Sequence, residues 1–421
     1  MMLDRSKAPD FKIPTSIEFP TPIQRTLPNG VHLYFIPTTE IDAVKLEISS
    51  SINESTNNKL LAPYFALEMV TEGINSKDAA ELDDFFDTYA SEVETESGFE
   101  NHGLSLLTTK KHFSTVLPVF RELLTEATFP EKELAKRKKQ KALSIHINRD
   151  KNSHRASQLF RKTLFGQNHP FGKITEENDV YVIDREDLVD FYQKDLWTNS
   201  EIFLTGNLDD SQLEDIIKEI GNIPVSFFDN PVSGFQNQIH PRVIESKAKS
   251  VQSSIRIGCH LIPKNHPDYF KLNLMNTILG GYFGSRLIKN IREDKGHTYG
   301  IYSSIGGLKN SDYWVVMADV IKEHDEAVIE EVYKEIDKLK YEPISLQELE
   351  VVRNYLVGKL LSQFSSGFEL IGRYKSIHQA GLDFGFYKQH LNYILTAKPR
   401  DIMEVAQKYL EREKMVEIIV G

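Results

Sequence analysis

The chain repeats itself at an offset of 215 residues, counted from Gly206 to Gly421. Near the middle, Asp187-Leu188-Val189-Asp190-Phe191-Tyr192-Gln193-Lys194 leads to Glu201-Ile202-Phe203-Leu204-Thr205-Gly206. At the end, Asp401-Ile402-Met403-Glu404-Val405-Ala406-Gln407-Lys408 leads to Val416-Glu417-Ile418-Ile419-Val420-Gly421. Both read as an amphipathic helix feeding a short apolar strand. The same offset relates Phe129-Pro130-Glu131 to Ile344-Ser345-Leu346, each a capped start to a long helix. Two independent segments agreeing on one offset predict a duplication: homologous domains over 1–225 and 240–421, with 226–239 as a linker. Asn230, Pro231, Ser233 and Gly234 are the breakers that mark this linker. A length of 421 residues, too great for one ordinary core, agrees with that division.

Within the first half, Asn29-Gly30 between 24–27 and 31–36 is a hairpin signal, and Val44-Lys45-Leu46-Glu47-Ile48 alternates as a half-buried strand does. Helical periodicity covers 60–71, 79–90, 113–127, 131–148 and 185–196. Strands and helices in runs, without regular βαβ units, predict an α+β fold in which antiparallel-rich sheets are covered by helices.

Composition removes several function classes. The 61 Asp+Glu against 50 Lys+Arg give a net charge of -11, which argues against nucleic acid as a partner. The single Cys259, in the strand-like 255–262, forms no internal disulfide, supplies no cysteine metal cluster, and reads as a small buried hydrophobe. The most apolar stretch, 60–70, is broken by Glu68 and is far shorter than the ~20 residues of a membrane span. With no secretory pattern at Met1-Met2-Leu3-Asp4-Arg5, a cytoplasmic location is expected.

The most distinctive stretch is Leu279-Gly280-Gly281-Tyr282-Phe283-Gly284-Ser285-Arg286-Leu287, continuing through Arg292 and Gly296 to Thr298-Tyr299. Ser285 can cap a helix, Gly296 can end it in the left-handed conformation, and a strand starts near Thr298. Arg292 then lies on the last turns of the helix and Tyr299 at the strand start. Two such donors can hold a carbonyl oxygen as it becomes an oxyanion. The competing reading pairs Arg292 with a surface carboxylate and puts Tyr299 in the core. Gly280, Gly281 and Gly284 either permit close helix packing or open backbone donors to a peptide.

With these residues in view, the sequence resembles the pitrilysin/insulinase-type zinc metallopeptidases, in the half-length branch that includes mitochondrial processing peptidase. Leu27-Pro28-Asn29-Gly30-Val31, the duplicated halves, and Ser285-Arg286-Leu287 through Arg292 to Tyr299 carry the resemblance. It implies that the two domains form half of a clamshell and that Arg292 and Tyr299 contact the substrate carbonyl. The family's His-x-x-Glu-His, registered on Gly73, falls on Tyr64-Phe65-Ala66-Leu67-Glu68: Tyr64 and Glu68 replace the histidines and Leu67 the general base. The third ligand falls near Lys136-Arg137-Lys138-Lys139, where Arg137 and its neighbours would repel a dication.

Neither His102, His112, His146, His154 nor His169 shares a helix with a second His and a carboxylate at ligand spacing. The expectation is therefore no cofactor in this chain, with zinc in a partner subunit. The resemblance implies a non-catalytic subunit of a heterodimeric zinc metallopeptidase, inactive alone, pairing with a similar-sized zinc-bearing chain and acting on peptides. The alternative is a catalytically inactive scaffold or peptide-binding homodimer of the same fold. The basic run Lys136, Arg137, Lys138, Lys139 and Lys141 is either a solvated helix face or an attractor of acidic peptide.

Overall fold

The computed structural model describes residues 14–39, 41–52, 59–228, 242–308 and 312–421. The first half opens with β1 (Ile23–Thr26), β2 (His32–Pro37), β3 (Ala43–Ser51) and α1 (Ala62–Glu68). A short pair, β4 (Gly73–Ile74) and β5 (Lys77–Asp78), leads to α2 (Ala79–Thr88), β6 (Glu92–Ser97) and β7 (Asn101–Thr109). Then come α3 (Phe113–Thr125), α4 (Glu131–Asp150), α5 (Asn152–Phe165), α6 (Glu177–Tyr181), α7 (Arg185–Lys194), β8 (Glu201–Gly206) and α8 (Asp210–Ile220). The second half contributes β9 (Arg242–Glu245), β10 (Gln252–His260), α9 (Tyr269–Asn276), β11 (Thr298–Gly306) and β12 (Tyr313–Ile321). It closes with α10 (Asp325–Tyr341), α11 (Leu346–Ser362), α12 (Gly367–His378), α13 (Gly385–Thr396), α14 (Pro399–Tyr409) and β13 (Val416–Val420).

The fold is α+β, and the duplication is visible in its sheets. Their orders are β1-β2-β8-β3-β7-β6 and β9-β13-β10-β12-β11, which correspond strand for strand once β1 is set aside. Each contains one parallel pair, β2 with β8 and β9 with β13, beside antiparallel neighbours. Gly30, with φ 87°, turns β1 into β2 where the Asn29-Gly30 signal places a hairpin. The helix at 60–71 is shorter than its periodicity suggests: α1 ends at Glu68, and the chain turns to reach Gly73 with φ 152°. Of the expected linker, 229–239 lies outside the described residues; Ser226 bridges to Thr198, and the Phe228 amide donates to Asn199 Oδ1 at 3.2 Å.

Strand alternation sends side chains to opposite faces. Val44, Leu46 and Ile48 of β3 and Leu104 and Leu106 of β7 enter one core with Phe65, Leu67 and Phe120. On the other face, Tyr34, Ile36 and Phe203 pack with Ile371, Tyr374 and Ile377, so α12 of the second half covers part of the first sheet. The exchange is mutual. Ala156, Leu159 and Phe160 of α5, from the first half, pack on Val416, Ile418 and Val420 of the second sheet. Among the described residues no helix is long and apolar enough to cross a membrane.

Candidate functional site

The polar face of the first sheet that α12 leaves open is the floor of a cavity of about 1730 Å³. Lys45, Glu47, Ser49 and Ser51 of β3 line it because Val44, Leu46 and Ile48 point the other way. Glu94 and Glu96 of the edge strand β6 stand at one side, and Lys264, Leu308 and Asp312 of the second half close the other. Small-molecule pockets span roughly 300–1,000 Å³, so this space suits an extended peptide better.

Charges stitch α12 to this floor. Lys375 donates to Glu47, and to Glu96 at 2.6 Å, with the Glu47 and Lys375 side chains only 11% and 12% exposed. Burial pushes the Glu47 carboxyl up, against the pull of the adjacent ammonium. His378 Nε2 lies 2.8 Å from Glu201, which also accepts from the Tyr34 hydroxyl at 3.3 Å. Asp312, buried at the far wall, is raised to about 6 by desolvation. The alternation of β3 already placed Lys45 and Glu47 on one polar face; nothing local signalled that Lys375 would meet them.

Tyr64, Glu68 and Arg137, which the resemblance sets at a degenerate metal position, lie close together. Glu68 and Arg137 both line the cavity, with Arg137 Nη1 3.9 Å from Glu68 and Nε donating to Glu72 at 2.6 Å. Thr95 Oγ1 donates to Glu68 at 2.8 Å, and Lys141 Nζ sits 3.4 Å over the Tyr64 ring. Burial, with Glu68 nearby, raises the Tyr64 phenol. Leu67 is fully buried in the first core. These residues do not fit a zinc ion: a guanidinium already stands between the carboxylates, and among the described residues no three His, Cys, Asp or Glu gather as a metal-holding group. The basic run is divided: Lys136 and Lys139 are exposed, while Arg137, Lys138 and Lys141 are half-buried. Lys136 bonds Glu133 at 3.1 Å and Lys138 donates to the carbonyls of Ile183 and Tyr181 at 2.6 and 3.4 Å, leaving Arg137 as its one member that lines the cavity. Cys259 is buried with its thiol pushed up to about 12 by desolvation, as befits a small hydrophobe.

Arg292 and Tyr299 lie elsewhere. Arg292 is on a π-helical turn, Ile288–Asp294, with its guanidinium 4.9 Å from the centroid of Phe283, itself 65% exposed. Gly296, φ 64°, ends this turn, and β11 starts at Thr298. A register shift between Thr298 and Ile301 accompanies a Tyr299 that is 92% exposed. Thus Tyr299 is not a core aromatic, and Arg292 has no carboxylate partner among the described residues. Neither residue lines the large cavity. The hydroxyl of Ser285 is buried without a hydrogen bond, so it caps nothing despite its place before the helix. A Cβ on Gly280 would stand 2.6 Å from the Ser303 amide nitrogen, which explains that glycine by close packing on β11. On Gly281 it would approach the Asn276 carbonyl oxygen at 3.1 Å, and on Gly284 it would meet the Tyr282 ring at 2.8 Å.

The chain is similar in sequence and fold to known proteins. Residues 183–356 match the family model described as Peptidase M16 inactive domain. A Bacillus subtilis (strain 168) protein named "Uncharacterized zinc protease YmxG" is 24% identical over 347 residues, covering 81% of this chain and 84% of its own. A Helicobacter pylori protein named "Non-peptidase homolog YmxG" is 21% identical over 383 residues, with 87% and 86% covered. The crystal structure of a peptidase M16 inactive domain from Pseudomonas fluorescens shares the fold with a TM-score of 0.83 at 20% identity, over 95% of this chain and 98% of that one.

Proposed function

We propose a function from one premise, that the chain is a half-length, non-catalytic pitrilysin-type protein carrying a peptidase M16 inactive domain over 183–356: it is the non-catalytic subunit of a two-chain zinc peptidase. The observation that carries this reading is the outward display of Arg292 and Tyr299, two strong donors with no acceptor among the described residues and no place in the cavity. In the complex, a peptide carbonyl oxygen would accept from the Arg292 guanidinium and the Tyr299 hydroxyl while negative charge develops on it. Phe283 holds the guanidinium in place from its other side. Zinc in the partner would polarise that carbonyl and activate water; no residue of this chain takes that part.

The test is turnover of the reconstituted complex. Arg292→Ala and Tyr299→Phe should each lower kcat/KM by about 10²–10³, roughly 2.7–4 kcal/mol, with assembly intact. Unchanged turnover in the double variant would exclude the role. A second reading, an inactive peptide-binding homodimer, is favoured by the cavity, whose walls this chain builds without help from another.

A further inference from the structure

Arg137 and Glu68 face each other on the chamber wall without touching. Arg137 Nη1 stands 3.9 Å from Glu68 Oε2, beyond hydrogen-bond reach, and the two side chains stay 36% and 22% exposed. Both residues line the large cavity, so a group inside it reaches them directly. The rest of each side chain is already committed. Nε of Arg137 donates to Glu72 at 2.6 Å, Nη2 pairs with the same carboxylate, and Glu72 is buried. Oε1 of Glu68 accepts from Thr95 of the edge strand β6 at 2.8 Å. One donor nitrogen and one acceptor oxygen are thus held in fixed places before any ligand arrives, which lowers the cost of binding. A gap of this width is closed by a group that accepts from one side and donates to the other.

Charge selects that group. Glu68 and Glu72 are offset by Arg137 and by Lys141, whose ammonium feels Glu68 but stays 3.4 Å over the Tyr64 ring. A carboxylate entering here meets Glu68 and Glu94, and an ammonium or guanidinium meets Arg137. An uncharged group meets neither penalty. Among the uncharged groups of a peptide, a hydroxyl offers one atom to both partners, whereas an amide offers an oxygen to the guanidinium and a separate N–H to the carboxylate.

We infer that Glu68 and Arg137 bind an uncharged amide of a peptide lying in the chamber, its oxygen accepting from Arg137 Nη1 and its N–H donating to Glu68 Oε2. This rests on the peptide reading above for the chamber's occupant. The place where the resemblance sets a metal thereby holds a peptide without cleaving it. The amide belongs either to a Gln or Asn side chain or to the peptide main chain, and the arms of the experiment separate the two sources.

The experiment is fluorescence anisotropy on the full chain with amino-terminally labelled nonapeptides of Ala and Val that differ only at the central residue: Gln, Leu, Glu or Ser. The Gln peptide should bind about tenfold more tightly than the other three, the worth of hydrogen bonds to charged groups. Glu68→Met and Arg137→Lys should each remove that preference. Arg137→Lys keeps a cation beside the buried Glu72 and serves if Glu68→Met fails to fold. If the four peptides bind alike and both variants weaken all of them about tenfold, the amide is a main-chain one and the inference stands. Affinities that neither variant changes, a Gln preference that survives both variants, or a Glu or Ser peptide that exceeds Leu as Gln does would each overturn the inference alone. Binding of no peptide would remove the peptide reading of the chamber and the inference with it. The subunit reading is judged apart from both, by turnover of Arg292 and Tyr299 variants in the complex.

Discussion

Leu67, which the resemblance sets where a general base would stand, is wholly inside the first core. Leu67→Ala should therefore cost about 2–5 kcal/mol in urea unfolding, as a core truncation does; a cost under about 1 kcal/mol would show that the site is not built into the core. Arg137 stands between Glu68 and Glu72 in the same way. The purified chain, dialysed against zinc and then buffer, should retain far less than one equivalent by elemental analysis. Stoichiometric retention would contradict the charge argument. At this scale the sequence was informative wherever identity alone decides chemistry: a leucine cannot serve as a general base, and an arginine cannot ligate a dication. It was silent on conformation. The hydroxyl of Ser285 and the exposure of Tyr299 depend on a π-helical turn and a strand irregularity that no residue pattern announces.

Among the elements, α12 matters most because it belongs to one half and roofs the other. Its Lys375 meets Glu47 across a separation of 328 residues, and Glu96 of edge strand β6 joins the pair. Lys375→Met would leave Glu47 buried without its cation, so it should destabilise the chain by about 3–5 kcal/mol and speed amide exchange in α12. Unchanged stability would mean that the apolar contacts of Tyr374 and Ile377 suffice. The π-helical turn carrying Arg292 depends on α10 similarly. Glu331 accepts from Lys295, Lys334 and Asn290 at 2.6, 2.8 and 3.1 Å, and hydrogen bonds from the two lysines lead in holding its carboxyl down to about 2, from an ordinary 4.5. Its folded pKa is depressed, so its stabilisation is present above 4.5 and is lost as pH falls toward about 2. Glu331→Gln should shrink the acid loss of Tm over that window; an unaltered acid profile would assign the loss to other carboxylates. Helix periodicity and the Asn29-Gly30 turn were legible for most elements, whereas the packing partners of α5 and α12 were not, since amphipathicity tells that a face is buried and not against what.

The whole molecule is two copies of one sheet topology that exchange a helix and enclose a chamber between them. The duplication was readable from one offset; the chamber was not, because its floor is the polar side of strands whose apolar side gave the signal. The central claim concerns what this molecule works with. Native mass spectrometry of the tagged chain, recovered from its own cells at low salt, tests it most directly. The account predicts a one-to-one complex with a chain of similar mass bearing His-x-x-Glu-His, whereas a homodimer or a lone monomer with no such partner would contradict it.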